Sequence, residues 1–275
     1  MDFKKKLKNL PELQFYKDLD LDLMISYRYV KENNKDTILF LHGFNGNSKS
    51  WAYQFDFFKN KNSVISIDAP GFGKSDPSSI DMEMIGDVVV RLLKSLNISK
   101  FHVVGHSMGG MLAQILSSKY SNSVNKLVLS CTFKGYGLPK NTPLMESYQR
   151  RIKDRKNMSD DQYGRHRIRE MLPKCSEDET FDFLSIISGE ISEGSIKSGG
   201  MAMQYLDTTK YLPYIKNQCL IILASEDNVV SKKKSESLIQ DIPHAIIKEL
   251  SNVGHAPYSE DSVSYNNVLV KFLLK

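Results

Sequence analysis

One serine stands where an apolar run meets a helical stretch, enclosed by glycines. Residues 105–110 read Gly-His-Ser-Met-Gly-Gly and follow the apolar run at 101–104. A serine on such a tight strand-to-helix turn is presented to solvent, in a backbone conformation that costs about 1–3 kcal/mol and usually occurs at functional sites. The following helix directs its free N–H groups and positive dipole end toward that serine. These features predict that Ser107 is a nucleophile.

A serine hydroxyl requires a base, usually a histidine that is oriented by a carboxylate. His255 is the predicted base, because it lies in a turn-rich loop, 251–257, after the strand-like run 245–250. Such a loop holds a side chain firmly and leaves it accessible. The other five histidines suit this role less well: His102 and His244 belong to strand-like runs, His166 to a charged helical stretch, His106 should point away from Ser107, and His42 is interpreted as structural.

The carboxylate should follow another buried strand. Residues 219–224 form an all-apolar run that ends in Ser-Glu-Asp-Asn, and Asp227 is the preferred acid, with its neighbour Glu226 as the alternative. An acid after a strand can instead cap the next helix. The sequence therefore predicts a Ser107, Asp227 and His255 triad and leaves the acid open between two adjacent residues.

Four segments in this order resemble motifs of the α/β-hydrolase superfamily, and the resemblance extends over nearly the whole chain. They are the His-Gly strand end at 39–44, the D-x-P-G-x-G-x-S segment at 67–75, the serine turn at 104–110 and the histidine loop at 252–257. The chain order serine, aspartate, histidine is also that of the superfamily. The chain looks like a capped esterase- or lactonase-like branch of it.

The resemblance implies that the backbone N–H groups of Phe44 and Met108 form the oxyanion hole, where donors stabilise a developing negative charge. It implies a serine hydrolase that cleaves a carboxylic ester or related acyl bond of a small-molecule substrate, with no cofactor and no metal. A carbon–carbon bond hydrolase or an enol-lactonase shares the same motifs. A slow-turnover receptor or signalling protein for a small ligand is the alternative from another class.

Strand-like and helical stretches alternate along the chain. After two antiparallel strands near 14–16 and 23–30, the pattern predicts strands at 36–41, 63–67, 101–105, 126–131, 219–224 and 245–250, with helices at 48–59, 79–96, 107–120, 231–240 and 259–273. This alternation is typical of an α/β fold, and the all-apolar strands indicate burial on both faces. We predict a mostly parallel, doubly wound sheet, the α/β-hydrolase fold.

Residues 134–210 interrupt this alternation with helical stretches near 145–156, 160–171 and 180–187. The resemblance implies a helical cap inserted after the sixth strand, with residues 1–133 and 211–275 as the core. A cap shapes the substrate pocket and excludes water. Phe181, Phe183 and Met201 are candidates to line that pocket, although such residues can also simply pack the cap onto the core.

Positive charge is concentrated in this insertion. Between Arg150 and Arg169 there are eight basic residues, Arg165, Arg167 and Arg169 among them, against three acidic ones. Such a cluster can be a solvated helix surface, or it can attract an acidic carrier protein or an anionic substrate. Nucleic-acid binding is not expected, because the run lacks interleaved aromatic residues.

The composition, with 41% hydrophobic and 25% charged residues in 275, is that of a globular enzyme. The basic N-terminus is not followed by the apolar stretch of a secretory signal, and no run approaches the ~20 residues of a membrane span. Three distant cysteines, Cys131, Cys175 and Cys219, suit a reducing compartment. We expect a cytoplasmic protein without a membrane span.

Overall fold

The computed structural model describes residues 3–33 and 35–274 and contains an eight-stranded sheet. Its strands are β1 Leu13–Asp18, β2 Leu23–Val30, β3 Thr37–Leu41, β4 Ser63–Ile67, β5 Phe101–His106, β6 Val124–Ser130, β7 Gln218–Ala224 and β8 Ile246–Leu250. They lie in the order β1-β2-β4-β3-β5-β6-β7-β8. The pairs β1–β2 and β2–β4 are antiparallel, and all other neighbours are parallel. The predicted fold class is confirmed.

The helices described are α1 Phe3–Lys8, α2 Ala52–Phe58, α3 Met82–Ser95, α4 Met108–Lys119, α5 Glu146–Asn157, α6 Asp160–Met171, α7 Glu179–Gly189, α8 Glu193–Tyr205, α9 Lys232–Asp241, α10 Pro257–Glu260 and α11 Ser262–Leu273, with 3₁₀ turns at Ser48–Trp51 and Leu212–Tyr214. None of them, within the described parts of the chain, has the length and apolar character needed to cross a bilayer.

Side chains that alternate along the central strands build two hydrophobic cores. Ile38 and Phe40 of β3 join α2 and α11 on one face of the sheet. Leu39 and Leu41 join α3 and α4 on the opposite face. Because successive side chains of a strand point to opposite faces, an all-apolar strand requires helices on both sides. The sheet is therefore doubly wound, and its parallel strands end at one common edge.

Along the chain, the segment that joins β6 to β7 contains four helices, α5, α6, α7 and α8. The first three coincide with predicted helical stretches, whereas α8 was not expected because it contains Gly194, Gly199 and Gly200. Packing explains the difference: a Cβ added to Gly200 would lie 2.9 Å from the ring of Tyr148 in α5. The close approach of α5 and α8 therefore outweighs the low helix propensity of glycine.

Candidate active site

Ser107 lies on the turn that joins β5 to α4. Its backbone has φ 51° and ψ −116°, a left-handed conformation that is strained for a residue with a side chain. The strain accompanies tight packing, since a Cβ on Gly109 would lie 2.3 Å from the carbonyl oxygen of Leu41. Thr132 Oγ1 donates a hydrogen bond of 2.7 Å to the carbonyl of Ser107 and fixes the turn.

The structure brings Ser107, His255 and Asp227 together from three separate strand ends. His255 Nε2 lies 3.1 Å from Ser107 Oγ, and His255 Nδ1 lies 2.9 Å from Asp227 Oδ2. Both distances are those of hydrogen bonds. Ser107 and His255 are 5% and 4% exposed. A hydroxyl, an imidazole and a carboxylate thus form one continuous hydrogen-bonded series.

Asp227 is held by its own loop. Its Oδ1 accepts hydrogen bonds from the N–H groups of Val229 and Val230, at 2.8 and 2.9 Å. Burial alone would raise the pKa of Asp227, but His255 and these two N–H groups outweigh it, so the pKa lies below its ordinary value. Glu226 instead points to Lys174, with 3.3 Å between Oε2 and Nζ. Of the two adjacent acids, the structure therefore places Asp227 beside the imidazole.

Glu260, which the sequence did not single out, supports the His255 loop. Its carboxylate oxygens accept hydrogen bonds from the N–H groups of Gly254 and Ala256, both at 2.8 Å. Burial is the main cause that raises the pKa of Glu260. The only sequence signal for this role is an acid placed shortly after Pro257, in the short helix α10. Glu260 holds the backbone on both sides of His255.

Phe44 and Met108, whose N–H groups are predicted to form the oxyanion hole, both lie near Ser107. Met108 is the first residue of α4, and Phe44 lines the same cavity as Ser107. Neither backbone N–H has a hydrogen-bond partner within residues 3–33 and 35–274. Within the described residues, both amide donors are thus without a protein acceptor.

Two other buried histidines are held in neutral forms. His42 Nε2 accepts a hydrogen bond of 3.0 Å from the Ala69 N–H, so its proton is on Nδ1, 2.8 Å from the carbonyl of Gly43. Burial lowers the pKa of His42, and it lowers the pKa of His106 well below its ordinary value. The His106 ring lies 4.8 Å from the ring of His255. His106 lines the cavity that contains Ser107 and His255, whereas His42 holds the chain just after β4 through Ala69.

A cavity lies over Ser107 and His255, and helices α5 to α8 supply much of its lining. The lining side chains from these helices are Tyr148, Arg151, Arg167, Met171, Leu184, Ile187, Ser188 and Met203. The insertion thus covers the serine with mixed apolar and basic side chains.

The three sequence candidates for the pocket do not line this cavity. Phe181 and Phe183 are buried in the core that contains α2, and Phe183 lies 5.0 Å from the ring of Tyr53. Met201 lies on an outer depression. Helix α7 is apolar on most of its surface, so its sequence does not reveal that Leu184 and Ile187, not the phenylalanines, meet the cavity.

One group of possible metal ligands occurs among the described residues, formed by Cys131, Asp227 and His255 with ligand atoms within 4.8 Å of one another. Asp227 and His255 already share a hydrogen bond. Burial raises the pKa of the Cys131 thiol well above its ordinary value, which disfavours the thiolate that binds metals. This donor set suits proton transfer better than metal binding.

Comparison with known proteins agrees with the fold. The α/β hydrolase fold family model matches residues 36–166. An esterase from Exiguobacterium antarcticum superposes with a TM-score of 0.83 at 18% sequence identity, over 95% of this chain and 99% of that one. Residues 36–166 thus resemble the α/β hydrolase family, and the chain as a whole has the α/β-hydrolase fold.

Two curated relatives match over most of the chain. The dihydrolipoyllysine-residue acetyltransferase component of an acetoin cleaving system from Cupriavidus necator is 25% identical over 266 residues, which are 94% of this chain and 69% of the relative. A 2-hydroxy-6-oxononadienedioate/2-hydroxy-6-oxononatrienedioate hydrolase from Paraburkholderia phymatum is 27% identical over 260 residues, 87% of each. The relatives and the fold support a hydrolase.

Proposed function

We propose that the protein is a serine hydrolase that cleaves a carboxylic ester or related acyl bond through an acyl-enzyme. The observation that carries the proposal is the hydrogen-bonded series Ser107–His255–Asp227, which opens into a cavity. The three groups stand in the geometry of a nucleophile, a base and the acid that orients the base.

The reaction begins when Ser107 Oγ attacks the carbonyl carbon and His255 Nε2 takes the hydroxyl proton. The carbonyl oxygen becomes negative and accepts hydrogen bonds from the N–H groups of Phe44 and Met108. Each such donor contributes about 3–4 kcal/mol to stabilising the transition state. The carbon–oxygen bond to the alcohol then breaks, and His255 returns the proton to the leaving oxygen.

Water completes the cycle. It attacks the acyl-serine while His255 takes one of its protons, and Ser107 leaves with that proton, so the products are an acid and an alcohol. Asp227 keeps the proton-bearing Nδ1 of His255 directed away from the serine and stabilises the imidazolium. Residues 134–210 act as a cap in this scheme, since α5 to α8 cover the serine and limit the entry of water.

Carbon–carbon bond hydrolysis is the second candidate, because the relative from Paraburkholderia phymatum is named for such a substrate. The same serine, histidine and oxyanion donors would act there on a carbon leaving group. Comparing turnover of esters with turnover of a vinylogous 1,5-diketone separates the two reactions.

Steady-state turnover of short and medium p-nitrophenyl esters tests the proposal. Ser107→Ala and His255→Ala should each remove nearly all activity, and the double variant should be little worse than either, because the members of a triad act as a unit. Strictly additive losses would contradict the assignment. A fluorophosphonate probe should label the wild type and spare Ser107→Ala.

A receptor with the same fold would behave differently. It would be acylated once per molecule and would release product slowly, whereas the proposed enzyme continues to turn over after the first equivalent of p-nitrophenol. Stoichiometric release without turnover across the ester panel would replace the enzyme proposal with the receptor.

A further inference from the structure

Two arginines from the insertion line the cavity that contains Ser107 and His255. Arg151 comes from α5 and Arg167 from α6, and both line this cavity. Arginine is the side chain best suited to bind carboxylate or phosphate oxygens through paired N–H groups.

Arg167 is buried and incompletely paired. The residue is 4% exposed, and one guanidinium nitrogen contacts Oε2 of Glu170, while Nε has no hydrogen-bond partner. Burial, followed by repulsion from Arg151, lowers the pKa of Arg167 to about 9. A buried cation with an unused donor is costly unless another group completes its contacts.

Arg151 lies against two aromatic rings that line the same cavity. Its guanidinium lies 5.5 Å from the ring centroid of Phe44, whose N–H is a proposed oxyanion donor, and 5.5 Å from the ring of Tyr148. No carboxylate within the described parts of the chain forms an ion pair with it. Stacking on two rings orients the guanidinium and leaves its N–H groups for a ligand.

Neighbouring arginines of the same helices are paired at the surface. Arg165 contacts Asp182 and Glu177, Arg169 contacts Glu177, and Arg155 contacts Asp160. The basic cluster predicted from sequence therefore divides into an outer, neutralised set and the inner pair Arg151 and Arg167. Both members of the inner pair line the cavity, and Arg151 has no carboxylate partner among the described residues.

Two carboxylates face the inner pair but are shared with other groups. Glu170 also lies 3.3 Å from Arg150 and 3.8 Å from His166, and Asp154 lies 3.6 Å from His166. Arg150, the third arginine near these acids, is 63% exposed and adds little to the charge inside the cavity. Among the described residues neither acid forms an ion pair with Arg151, so a negative ligand group would supply the partner that this guanidinium lacks.

We propose that the substrate carries a second, anionic group, a carboxylate or a phosphate, which Arg151 and Arg167 bind while Ser107 attacks the acyl carbon. This inference rests on the proposed function and narrows its substrate class to anionic acyl compounds. A half-ester of a dicarboxylic acid is the simplest molecule of this class.

The test compares substrates that differ only in charge. kcat/KM is measured for the mono-p-nitrophenyl ester of adipic acid, for its neutral isostere p-nitrophenyl 6-methylheptanoate and for a phosphonate analogue of the same length, after correction for spontaneous hydrolysis. Arg167→Met and Arg151→Met are compared with Arg169→Met, a matched control from the outer face of the same helix α6.

The anionic-to-neutral ratio of kcat/KM should exceed one in the wild type and fall about tenfold to a hundredfold in each inner variant, as expected for lost hydrogen bonds to a charged group. Arg169→Met should keep the ratio. The carboxylate and phosphonate arms show which anion the pair prefers. Equal losses for anionic and neutral esters, or no wild-type preference, would overturn the inference while leaving the hydrolase proposal standing.

A binding arm is independent of turnover. Calorimetric titration of the Ser107→Ala protein with adipate and with 5-phosphonopentanoate should show saturable binding of at least one of them, and adding Arg167→Met should weaken that binding at least tenfold. If no ester is hydrolysed but the anion binds through these arginines, the proposed function fails and the anion site stands. If neither dianion binds, the anion site fails.

Discussion

Asp227 is the residue at which a small change should have the largest readable effect, because its two oxygens have different partners. Oδ1 accepts two backbone N–H groups, from Val229 and Val230, and Oδ2 faces His255 Nδ1. In Asp227→Asn the amide oxygen must stay with the two backbone donors, so the NH₂ group faces the imidazole. His255 Nδ1 then has to accept, the proton moves to Nε2, and the ring can no longer take the proton of Ser107.

The size of the effect follows from the charges and the tautomer. A carboxylate about 4 Å from an imidazolium stabilises it by about 4 kcal/mol at an effective dielectric constant of about 20, or about a thousandfold in rate. The wrong tautomer adds to this loss. We therefore expect kcat for a p-nitrophenyl ester to fall about 10³- to 10⁴-fold, as in other serine triads, with KM nearly unchanged.

Glu226→Gln is the matched control, since this adjacent acid contacts Lys174 instead of the histidine. Its kcat should stay within about twofold of the wild type, as is usual for exposed ion pairs. Circular dichroism and thermal unfolding would show that both variants are folded. A loss of less than tenfold in Asp227→Asn, or a larger loss in Glu226→Gln, would refute Asp227 as the partner of His255.

Two further predictions concern groups around the triad. In Glu260→Gln the amide oxygen accepts from only one of the N–H groups of Gly254 and Ala256, and the NH₂ group faces the second N–H. The free energy of unfolding in urea should therefore fall by about 1–3 kcal/mol. The kcat should also fall about tenfold, and an unchanged kcat would show that the loop does not position His255. The pKa of Asp227 is lower in the folded protein than the value of about 3.9 that it has in the unfolded chain. The ionised carboxylate therefore stabilises the fold above about pH 3.9, and this stabilisation is lost as pH falls through the pKa of the folded state. The stability difference between wild type and Asp227→Asn should therefore narrow from about pH 5 to pH 3, and a difference that widens would contradict the pKa shift.

Local features of the site were readable from the sequence. The strained turn at Ser107 depends on a strand, a tight turn and a helix that are consecutive in the chain. Gly105 and Gly109 beside it leave room for the close packing of strand and helix. His255 was similarly marked by its place in a loop after a strand. The alternation of strands and helices predicted the sheet for the same reason, since each element shows its own hydrophobic period.

Features that depend on how helices face one another were not readable. The pattern of α7 marked Phe181 and Phe183 as apolar, but only its docking decided that Leu184 and Ile187 meet the cavity. The glycine-rich α8 was missed, because its stability comes from contact with α5.

The sequence by itself determined the parallel doubly wound sheet, the serine turn and the two loops from which an acid and a base could come, because short-range hydrophobic pattern and turn chemistry specify them. Tertiary structure alone decided between Asp227 and Glu226 and separated Arg167 from Arg165 and Arg169. Helical spacing puts Arg167 on the face opposite the other two, and the packing of α6 turns that face toward Ser107. Those choices belong to tertiary packing, which brings Asp227 to His255, 28 positions further along the chain, and Arg167 to the cavity of Ser107, 60 positions earlier.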